Sequence, residues 1–524
     1  MVSALENINQ IKGGQQKMPE MNANILMLFA PKFNEFGCDV GKEYLRRKGG
    51  GFVHGLCAGP PKVKQMVETR LGAEAGKLWH LHTEEASWLT ADYDARTLSE
   101  VDDELGAGAV GRIIVSDRRV GRGFVRGGLC RPDDVSRQIS KYPNVLPQKY
   151  ISGLYCFLDR MLKTIRPDMV FCYAVAGAPA LLLAEMAKAR RIPFSRITSI
   201  RLGNRYVIDD DPKGRLSCID RRFRASGEDK SVVQEAQDLL QSFRNAPEPP
   251  GYMIRNKVIN VSKTPFRMTV RAISGTVYHS VQSIKDQRSR SERIKRDWFE
   301  ALISWRRFLS RKLFSDSPPN KVPFVYYPLH VDPESSTQVL APMHTDQLSV
   351  IEALAKSVPA NLVVVVKEHE PMLGRRPKGF YEKIMKMPRV VLLGPEHTGL
   401  SLIGKAEIVT VITGTAAWEA IRLRKPVVII GDSPYLSIGE GLIYEPSLAN
   451  LSTALSAATK LSPASDDKIV KYLAASLSVS FEMNPSILWG EYLRHSSSER
   501  NDVVSNIVNG IIKREQEQSG PKPK

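Results

Sequence analysis

Residues 169–200 read MVFCYAVAGAPALLLAEMAKARRIPFSRITSI and carry the clearest fold signal in the chain. An apolar run leads to Gly177-Ala178-Pro179, an Ala- and Leu-rich segment continues to Arg191, and a second apolar run covers 194–200. Strand, tight turn, helix and strand in this order form a βαβ unit, whose two strands are parallel. The sequence therefore predicts a parallel sheet covered by helices.

The same alternation continues on both sides of this unit. Upstream, the predicted strands are 24–30, 52–58 and 113–116, and a helix is predicted over 150–165. Downstream, five strands that alternate with short helices indicate a doubly wound sheet; they are 324–327, 362–367, 390–393, 407–412 and 426–430. We therefore predict an α/β protein with two Rossmann-like, doubly wound domains. The predicted divisions are a disordered 1–20, an α/β domain over 21–245, a basic helical segment over 246–320, a Rossmann-like domain over 321–465, and helices with a disordered tail over 466–524.

Composition limits the class of protein. The 524 residues are 42% apolar and 25% charged, which is ordinary for a globular chain and excludes a fibre or a disordered polymer. The six cysteines form no C-x-x-C pair, which favours free thiols in a reducing compartment. The N-terminus lacks the pattern of a secretory signal, and no apolar stretch approaches the roughly 20 residues of a membrane helix. We expect a cytoplasmic protein, peripheral at the inner face of the cytoplasmic membrane.

Most of the net charge of +18 lies in residues 255–313, which hold 15 Lys and Arg and four acidic residues. In this basic segment, apolar residues interleave at helical spacing with Arg306, Arg307, Arg311 and Lys312. The segment is either a helical linker whose apolar side packs on a neighbouring domain, a basic amphipathic helix at an anionic membrane surface, or a nucleic-acid contact. No RNA- or DNA-binding motif accompanies the charge, so we expect no nucleic-acid partner.

Polar residues follow three predicted strands of the 321–465 domain, at the carboxyl ends where doubly wound sheets bind ligands. After strand 407–412, Thr413, Gly414 and Thr415 lead into a helix that carries Glu419. Free N–H groups, two hydroxyls and the positive end of a helix suit a phosphate, and Glu419 suits ribose hydroxyls. Alternatively, the two threonines only cap the helix.

Two more loops end at the same edge of the predicted sheet. Their candidate donor-binding residues are Lys367 and His369 after one strand, and His330, Glu334 and Ser335 after the other. A loop this polar at the end of an apolar strand is more often functional than not.

The stretch 324–432 resembles the capsule polysaccharide biosynthesis family, which includes bacterial Kdo transferases. The resemblance rests on YYPLHVDPESST (326–337), the helix that begins at Asp346-Gln347, VKEHEPMLGRRP (366–377), ITGTAAWEA (412–420) and KPVVIIGD (425–432). Two stretches of the N-terminal half, 167–194 and 197–212, are also similar to the family.

This resemblance implies a GT-B glycosyltransferase, with two Rossmann-like domains that face each other across a cleft and a donor nucleotide held by the C-terminal one. Related CMP-sugar transferases bind the donor phosphate with a His-Pro motif and a Ser/Thr pair, and His369, Thr413 and Thr415 stand at the matching positions. CMP-Kdo is then the favoured donor, and a lipid-linked or growing glycan is the acceptor. The resemblance also implies no metal and no cofactor.

A transferase needs a carboxylate at the anomeric centre, and Asp209 and Asp210 are the candidates. Alternatively, these aspartates form a solvated turn. Arg201 and Arg205 precede them, and an Arg fork matches the carboxylate of an acidic sugar.

Two other functions stay open at this point. One is a nucleotide-sugar epimerase of the same fold, which would act on a donor without an acceptor. The other is a non-catalytic or basic nucleic-acid-binding protein, which the net charge suggests.

Overall fold

A computed structural model describes residues 23–30, 32–92, 94–121, 145–225, 227–248, 265–281 and 287–519. The predicted disorder of residues 1–20 and of the last five residues concerns positions outside these ranges.

The N-terminal half consists of strands and helices in alternation. Its strands are β1 (Ala23–Phe29), β2 (Gly51–Cys57), β3 (Ala75–His80), β4 (Met169–Cys172), β5 (Phe194–Ser199) and β6 (Arg205–Asp209). Its helices are α1 (Asn34–Lys48), α2 (Lys62–Leu71), α3 (Leu81–Thr90), α4 (Ala95–Leu105), α5 (Ala109–Ser116), α6 (Val145–Ile165), α7 (Ala178–Ala189), α8 (Ser217–Ala225) and α9 (Lys230–Asn245). Two helices, α10 (Pro265–Val281) and α11 (Gln287–Ser310), then form a hairpin.

The C-terminal half repeats the alternation. Its strands are β7 (Phe324–Pro328), β8 (Val363–Lys367), β9 (Val390–Leu393), β10 (Ile408–Val411), β11 (Val427–Ile429) and β12 (Leu442–Tyr444). Its helices are α12 (Ser335–Gln338), α13 (Gln347–Ser357), α14 (Phe380–Met385), α15 (Gly399–Lys405), α16 (Ala416–Arg422) and α17 (Leu451–Ala458). Helix α18 (Asp466–Val479), strand β13 (Phe481–Glu482) and helix α19 (Ser497–Ser519) follow.

The strands form two sheets, of seven and six strands. The N-terminal sheet has the order β13-β6-β5-β4-β1-β2-β3, and the C-terminal sheet has the order β12-β11-β10-β7-β8-β9. All pairs in the C-terminal sheet are parallel. In the N-terminal sheet only β6 is reversed, since it runs antiparallel to both of its neighbours, β5 and β13. In each sheet, the strand that comes first in the chain has the second strand on one side and the fourth on the other, so the strand order reverses beside it. Rossmann sheets have the same reversal. The predicted α/β class with two Rossmann-like sheets is therefore confirmed.

The βαβ unit predicted over 169–200 corresponds to β4, α7 and β5. Val170 on β4 lies opposite Phe194 on β5 in parallel register. The tight turn before α7 depends on Gly177, whose φ of 81° lies in the left-handed region that side chains disfavour. Local turn chemistry and apolar patterning thus produce this unit.

The C-terminal helices pack on elements of the N-terminal half. Helix α18 packs against α8 and α9, β13 pairs with β6, and α19 lies against α1, β5 and β6. One apolar cluster joins the two halves, because Phe223 on α8 and Leu240 on α9 share it with Trp418 on α16 and Tyr472 on α18. Burial of these large side chains holds the two halves together.

One predicted strand is wrong. Ile113 to Ser116 form the end of α5, not a strand, and all four residues are buried. A short apolar run of this kind does not distinguish a strand from a buried turn of helix, since both need apolar residues on every side. Over the described residues, no helix is long and apolar enough to cross a bilayer.

Candidate functional site

The candidate site lies at the point where the order of the C-terminal sheet reverses. Strands β7 and β10 are neighbours there, and the chain leaves their carboxyl ends in opposite directions. Such a reversal opens a crevice between the two loops, which is where open α/β sheets bind ligands. The loops that contain His330 and Gly414 flank this crevice.

His330 is held rigidly by its backbone. Its N–H donates to Gln347 Oε1 at 2.7 Å, and its carbonyl accepts from Gln347 Nε2 at 3.2 Å and from Arg376 Nη2 at 2.8 Å. The ring lies against the loop after β10, because a Cβ built at Gly414 would be only 3.1 Å from the His330 Cε1. Glycine at 414 therefore lets the imidazole approach the backbone closely.

The His330 ring has an open hydrogen-bonding atom. The residue is only 8% exposed, and no group of the described chain hydrogen-bonds its Nε2. Burial, with smaller contributions from His369 and from the positive charge of Arg376, lowers the pKa of His330 to about 3. The imidazole is therefore neutral at physiological pH. A buried polar atom without a partner is costly, which points to a ligand or a water at this position.

Glu368 and Arg376 form a buried ion pair beneath the loop after β8. Arg376 donates from Nε to Glu368 Oε2 at 2.9 Å and from Nη2 to Oε1 at 2.8 Å, and the Tyr381 hydroxyl donates to Oε2 at 2.7 Å. Both charged side chains are at most 1% exposed. Since Arg376 also binds the His330 carbonyl and Glu368 accepts from the His369 N–H at 2.6 Å, this pair fixes both histidine loops.

His369 and Lys367 lie on the open side of the same loop. His369 is half-buried, and no described group hydrogen-bonds its Nδ1. Burial and the charge of Lys367 lower the pKa of His369 to about 4. His369 also contributes to the lowered pKa of His330, so the two histidines, 39 positions apart in the sequence, share one environment.

The loop after β10 is braced by one threonine. The Thr413 hydroxyl donates to the Ser336 carbonyl at 2.8 Å and so ties this loop to α12. Thr415 precedes α16, but its side chain makes no capping hydrogen bond. Neither threonine hydroxyl therefore caps α16. Thr415 and Gly414 lie at the crevice.

The loop between β7 and α12 carries the other two predicted donor ligands. Exposed Glu334 precedes α12 and accepts from the Ser336 hydroxyl at 3.0 Å, and Ser335 begins the helix. Gln338 at its end donates to the Val115 carbonyl of the N-terminal half at 3.0 Å. Helix α12 thus connects the crevice with the N-terminal half.

Glu419 is a buried carboxyl on α16. It is 7% exposed, and burial raises its pKa to about 7 against the opposing charges of Arg422 and Lys367. Since Lys367 acts on it, Glu419 and the loop after β8 belong to one electrostatic environment. At neutral pH the carboxyl is partly protonated and is able to donate as well as accept a hydrogen bond.

We expect the Glu419 carboxyl to make stability fall as pH rises. Its folded pKa of about 7 exceeds the usual 4.5, so its stabilising effect is complete below pH 4.5 and is lost as pH rises through 7. When the pH rises from about 5.5 to 8.5, the free energy of unfolding of the wild type should fall by roughly 2 kcal/mol relative to that of Glu419→Gln, which lacks the carboxyl. Urea unfolding of both proteins across this pH range measures this difference. Glu407→Gln, at an exposed position before β10, is the control. If Glu407→Gln showed the same pH-dependent difference from the wild type, the raised pKa of Glu419 would be contradicted.

The two candidate catalytic aspartates have structural roles. Asp209 is completely buried and accepts from the Cys218 N–H at 3.1 Å, at the start of α8. Asp210 accepts both forks of Arg221, at 2.9 and 3.0 Å. A carboxylate with no exposed surface cannot reach a substrate, so the catalytic assignment of Asp209 is wrong for this structure. The solvated-turn alternative does not describe it either.

The two arginines proposed for an acidic sugar lie in the β5–β6 hairpin of the N-terminal half. Arg205 is on β6 and pairs with Glu235 at 3.3 Å and Glu482 at 3.5 Å. Arg201 lies in the turn between β5 and β6, with a φ of 62°. The carboxylates already paired with Arg205 compete with any acidic ligand there.

Sequence reasoning missed Gln347, Arg376 and Tyr381, and it gave Glu368 no role. A strand points alternate residues to opposite faces, so Lys367 and His369 on one side already imply that Glu368 points to the other. The partners of Glu368, Arg376 and Tyr381, come from the segment that leads into α14, and their contact with Glu368 depends on how that segment folds back.

Residues 300–480 match the family model described as capsule polysaccharide biosynthesis protein. This range covers the C-terminal half and every residue of the crevice, so the resemblance is confirmed over this part of the chain. No curated protein matches the chain.

Solved structures with a similar fold have low scores. Two KpsC Kdo transferases from Thermosulfurimonas dismutans are each 12% identical. The β-Kdo 2,7 transferase covers 67% of this chain and 88% of its own at a TM-score of 0.35, and the β-Kdo 2,4 transferase covers 66% and 87% at 0.36. The UDP-GlcNAc 2-epimerase of Neisseria meningitidis, bound to UDP-GlcNAc, is 11% identical and covers 93% and 100% at 0.21. Scores this low give no information about the reaction.

Proposed function

We propose that this protein is a glycosyltransferase of capsular polysaccharide synthesis that binds its nucleotide-sugar donor in the crevice between β7 and β10. The observation that carries the proposal is the buried His330 ring. Three hydrogen bonds fix its backbone, and its Nε2 has no hydrogen-bond partner among the described residues, at the point where the strand order reverses between β7 and β10. The family match over 300–480 supports it, because that range contains the whole crevice.

The chemistry of the crevice suits a donor phosphate. His330 and His369 supply neutral imidazole donors, Lys367 supplies a positive charge, and Gly414 and Thr415 supply backbone and hydroxyl donors. Charge-assisted hydrogen bonds from such groups are the strong ones in phosphate binding. The proposal assigns Glu419 to the ribose hydroxyls of the donor. CMP-Kdo is the donor that the resemblance favours, and no resident metal or cofactor is part of the proposal.

The proposed acceptor is a lipid-linked or growing glycan, approached from the N-terminal half. The proposal gives no catalytic role to Asp209 or Asp210, whose carboxyl groups are committed to the protein. It places the protein in the cytoplasm, at the inner face of the membrane where lipid-linked glycans are made.

A nucleotide panel tests the donor site. Thermal denaturation with CMP, UDP, GDP and their sugars should show a rise in the melting temperature for one nucleotide, because a ligand of the native state stabilises it. With that sugar donor alone, a transferase shows only slow hydrolysis, whereas an epimerase interconverts the sugar. No shift with any nucleotide, together with salt-sensitive RNA binding, would contradict the proposal.

A further inference from the structure

Among the exposed large apolar side chains on the hairpin of α10 and α11, eight are left uncovered by the described residues in a regular pattern. They are spaced three and four positions apart on each helix, so each set forms one stripe. The eight residues, which we call the apolar face, are Phe266, Val270, Ile273 and Val277 on α10 and Trp298, Leu302, Trp305 and Leu309 on α11. Their exposed fractions run from 42% to 74%.

The two stripes lie on the same side of the hairpin. Trp298 Nε1 donates to the Thr276 hydroxyl at 3.0 Å, and Trp305 Nε1 donates to the Thr269 hydroxyl at 2.9 Å. These bonds pair the helices antiparallel and lay both indoles across the seam between them. Both stripes adjoin this seam, because Trp298 and Trp305 belong to the stripe on α11, and Thr269 and Thr276 are each followed by a residue of the stripe on α10. Contiguous apolar surface of this kind marks an interaction site.

The opposite side of the hairpin is attached to the C-terminal half. Arg307 Nε donates to the Leu373 carbonyl at 3.0 Å, and Arg306 donates to the Arg376 carbonyl. A Cβ at Gly374 would lie 2.7 Å from the Ile303 carbonyl oxygen, so backbone packs on backbone here. The hairpin therefore contacts the same segment whose Arg376 side chain holds the histidine loops.

This arrangement corrects two predictions about the basic segment. Arg306 and Arg307 face the protein, not a lipid surface. Trp298 and Trp305 are 45% and 42% exposed, so the apolar side that the linker interpretation packs on a neighbouring domain does not include the tryptophans. The part of the segment outside the described residues is not covered by these corrections.

The charge of the hairpin matches an anionic bilayer. Exposed Arg267, Arg271, Lys295 and Arg296 lie on the hairpin, and Arg311 and Lys312 follow it directly. Basic side chains around an apolar surface bind anionic headgroups while the apolar residues enter the acyl boundary. Tryptophan prefers this boundary because its ring is apolar and its N–H is polar.

We propose that the apolar face of the α10–α11 hairpin inserts into the surface of an anionic membrane. This docking goes beyond the proposed transferase reaction. Because the hairpin is bonded to residues 373–376 beside the crevice, it would also set the distance between the donor crevice and the membrane. A second copy of the chain is the alternative occupant that the experiment must separate.

Vesicle co-sedimentation of the full chain tests the docking. Vesicles of phosphatidylglycerol and phosphatidylcholine at about 3:7 should pellet the wild type, whereas pure phosphatidylcholine should pellet much less. The variant Ile273→Gln, Val277→Gln, Leu302→Gln, Leu309→Gln should partition at least tenfold more weakly. The matched control replaces exposed apolar residues elsewhere, at Val322, Met343, Met385 and Leu493, with Gln and should bind like the wild type.

A charge variant separates the two contributions. Changing Arg267, Arg271, Lys295 and Arg296 to Gln should weaken binding at low salt and remove most of its salt dependence, since screening acts on the charges alone. Quenching of tryptophan fluorescence by brominated lipid gives a readout in the wild type even if a variant misfolds.

Three results would overturn the docking. The first is equal pelleting of the wild type with and without vesicles, and the second is unchanged binding of the four-site apolar variant. The third is a wild-type dimer in light scattering that becomes monomeric in that variant, without quenching by lipid, because a second copy then covers the face. The nucleotide-induced thermal shift should be the same in all these variants, so failure of the docking leaves the donor proposal standing.

Discussion

Arg376→Met is expected to lower the free energy of unfolding by about 3–5 kcal/mol. The substitution leaves the Glu368 carboxylate buried without its cation and removes the donor to the His330 carbonyl. Breaking one partner of a buried pair costs this much, because the remaining charge cannot regain its hydration. Urea unfolding at pH 7 measures the loss.

The double variant Glu368→Met, Arg376→Met should recover a large part of this loss. It removes both charges, so no uncompensated ion stays buried. Lys356→Met, which breaks the surface pair with Glu352 on α13, is the control and should leave the unfolding curve unchanged. If Arg376→Met unfolded at the wild-type urea concentration, the pair would not support the histidine loops as described.

His330→Phe is expected to reduce affinity for the donor nucleotide by about 10- to 100-fold, the range of a lost hydrogen bond to a charged group. Phenylalanine retains the aromatic volume against Gly414 and removes the open Nε2. The melting temperature without ligand should therefore change little. Isothermal titration with the nucleotide that gives the largest thermal shift measures the affinity.

His279→Phe on α10 is the matched control for this substitution, since it makes the same exchange away from the crevice. A folded His330→Phe variant with wild-type affinity would remove His330 from the donor site. Loss of folding in His330→Phe would instead show that the ring is a core residue.

Much of the fold was predictable because its signals are local. The C-terminal strands and the unit over 169–200 are marked by apolar runs and by turn residues such as Gly177, which need no distant partner. Strand β6 was not among the predicted strands. Its first neighbour, β5, lies directly before it, but its second neighbour, β13, comes from a segment more than 270 positions further along the chain. The 113–116 run was misassigned because burial on all sides removes the periodicity that separates a helix from a strand.

The candidate site was predictable only in part. Residues that follow strand ends, such as His330 and Thr413, were identified because parallel strands bring their carboxyl ends to one edge. Arg376 was not identified, since nothing in its immediate sequence shows that its side chain turns inward to the Glu368 carboxylate directly after β8.

By itself, the sequence determined the alternation of strands and helices, the loops that reach the carboxyl edge, and the concentration of positive charge over 255–313. These depend on the order and spacing of residues along the chain. Only the tertiary structure decided that Asp209 is sealed in the interior, that Glu368 is paired with Arg376, and that the hairpin turns its tryptophans outward. Burial and pairing are properties of contacts between distant segments, so the same charged or aromatic side chain becomes a ligand, a structural ion pair or an exposed surface according to what packs against it.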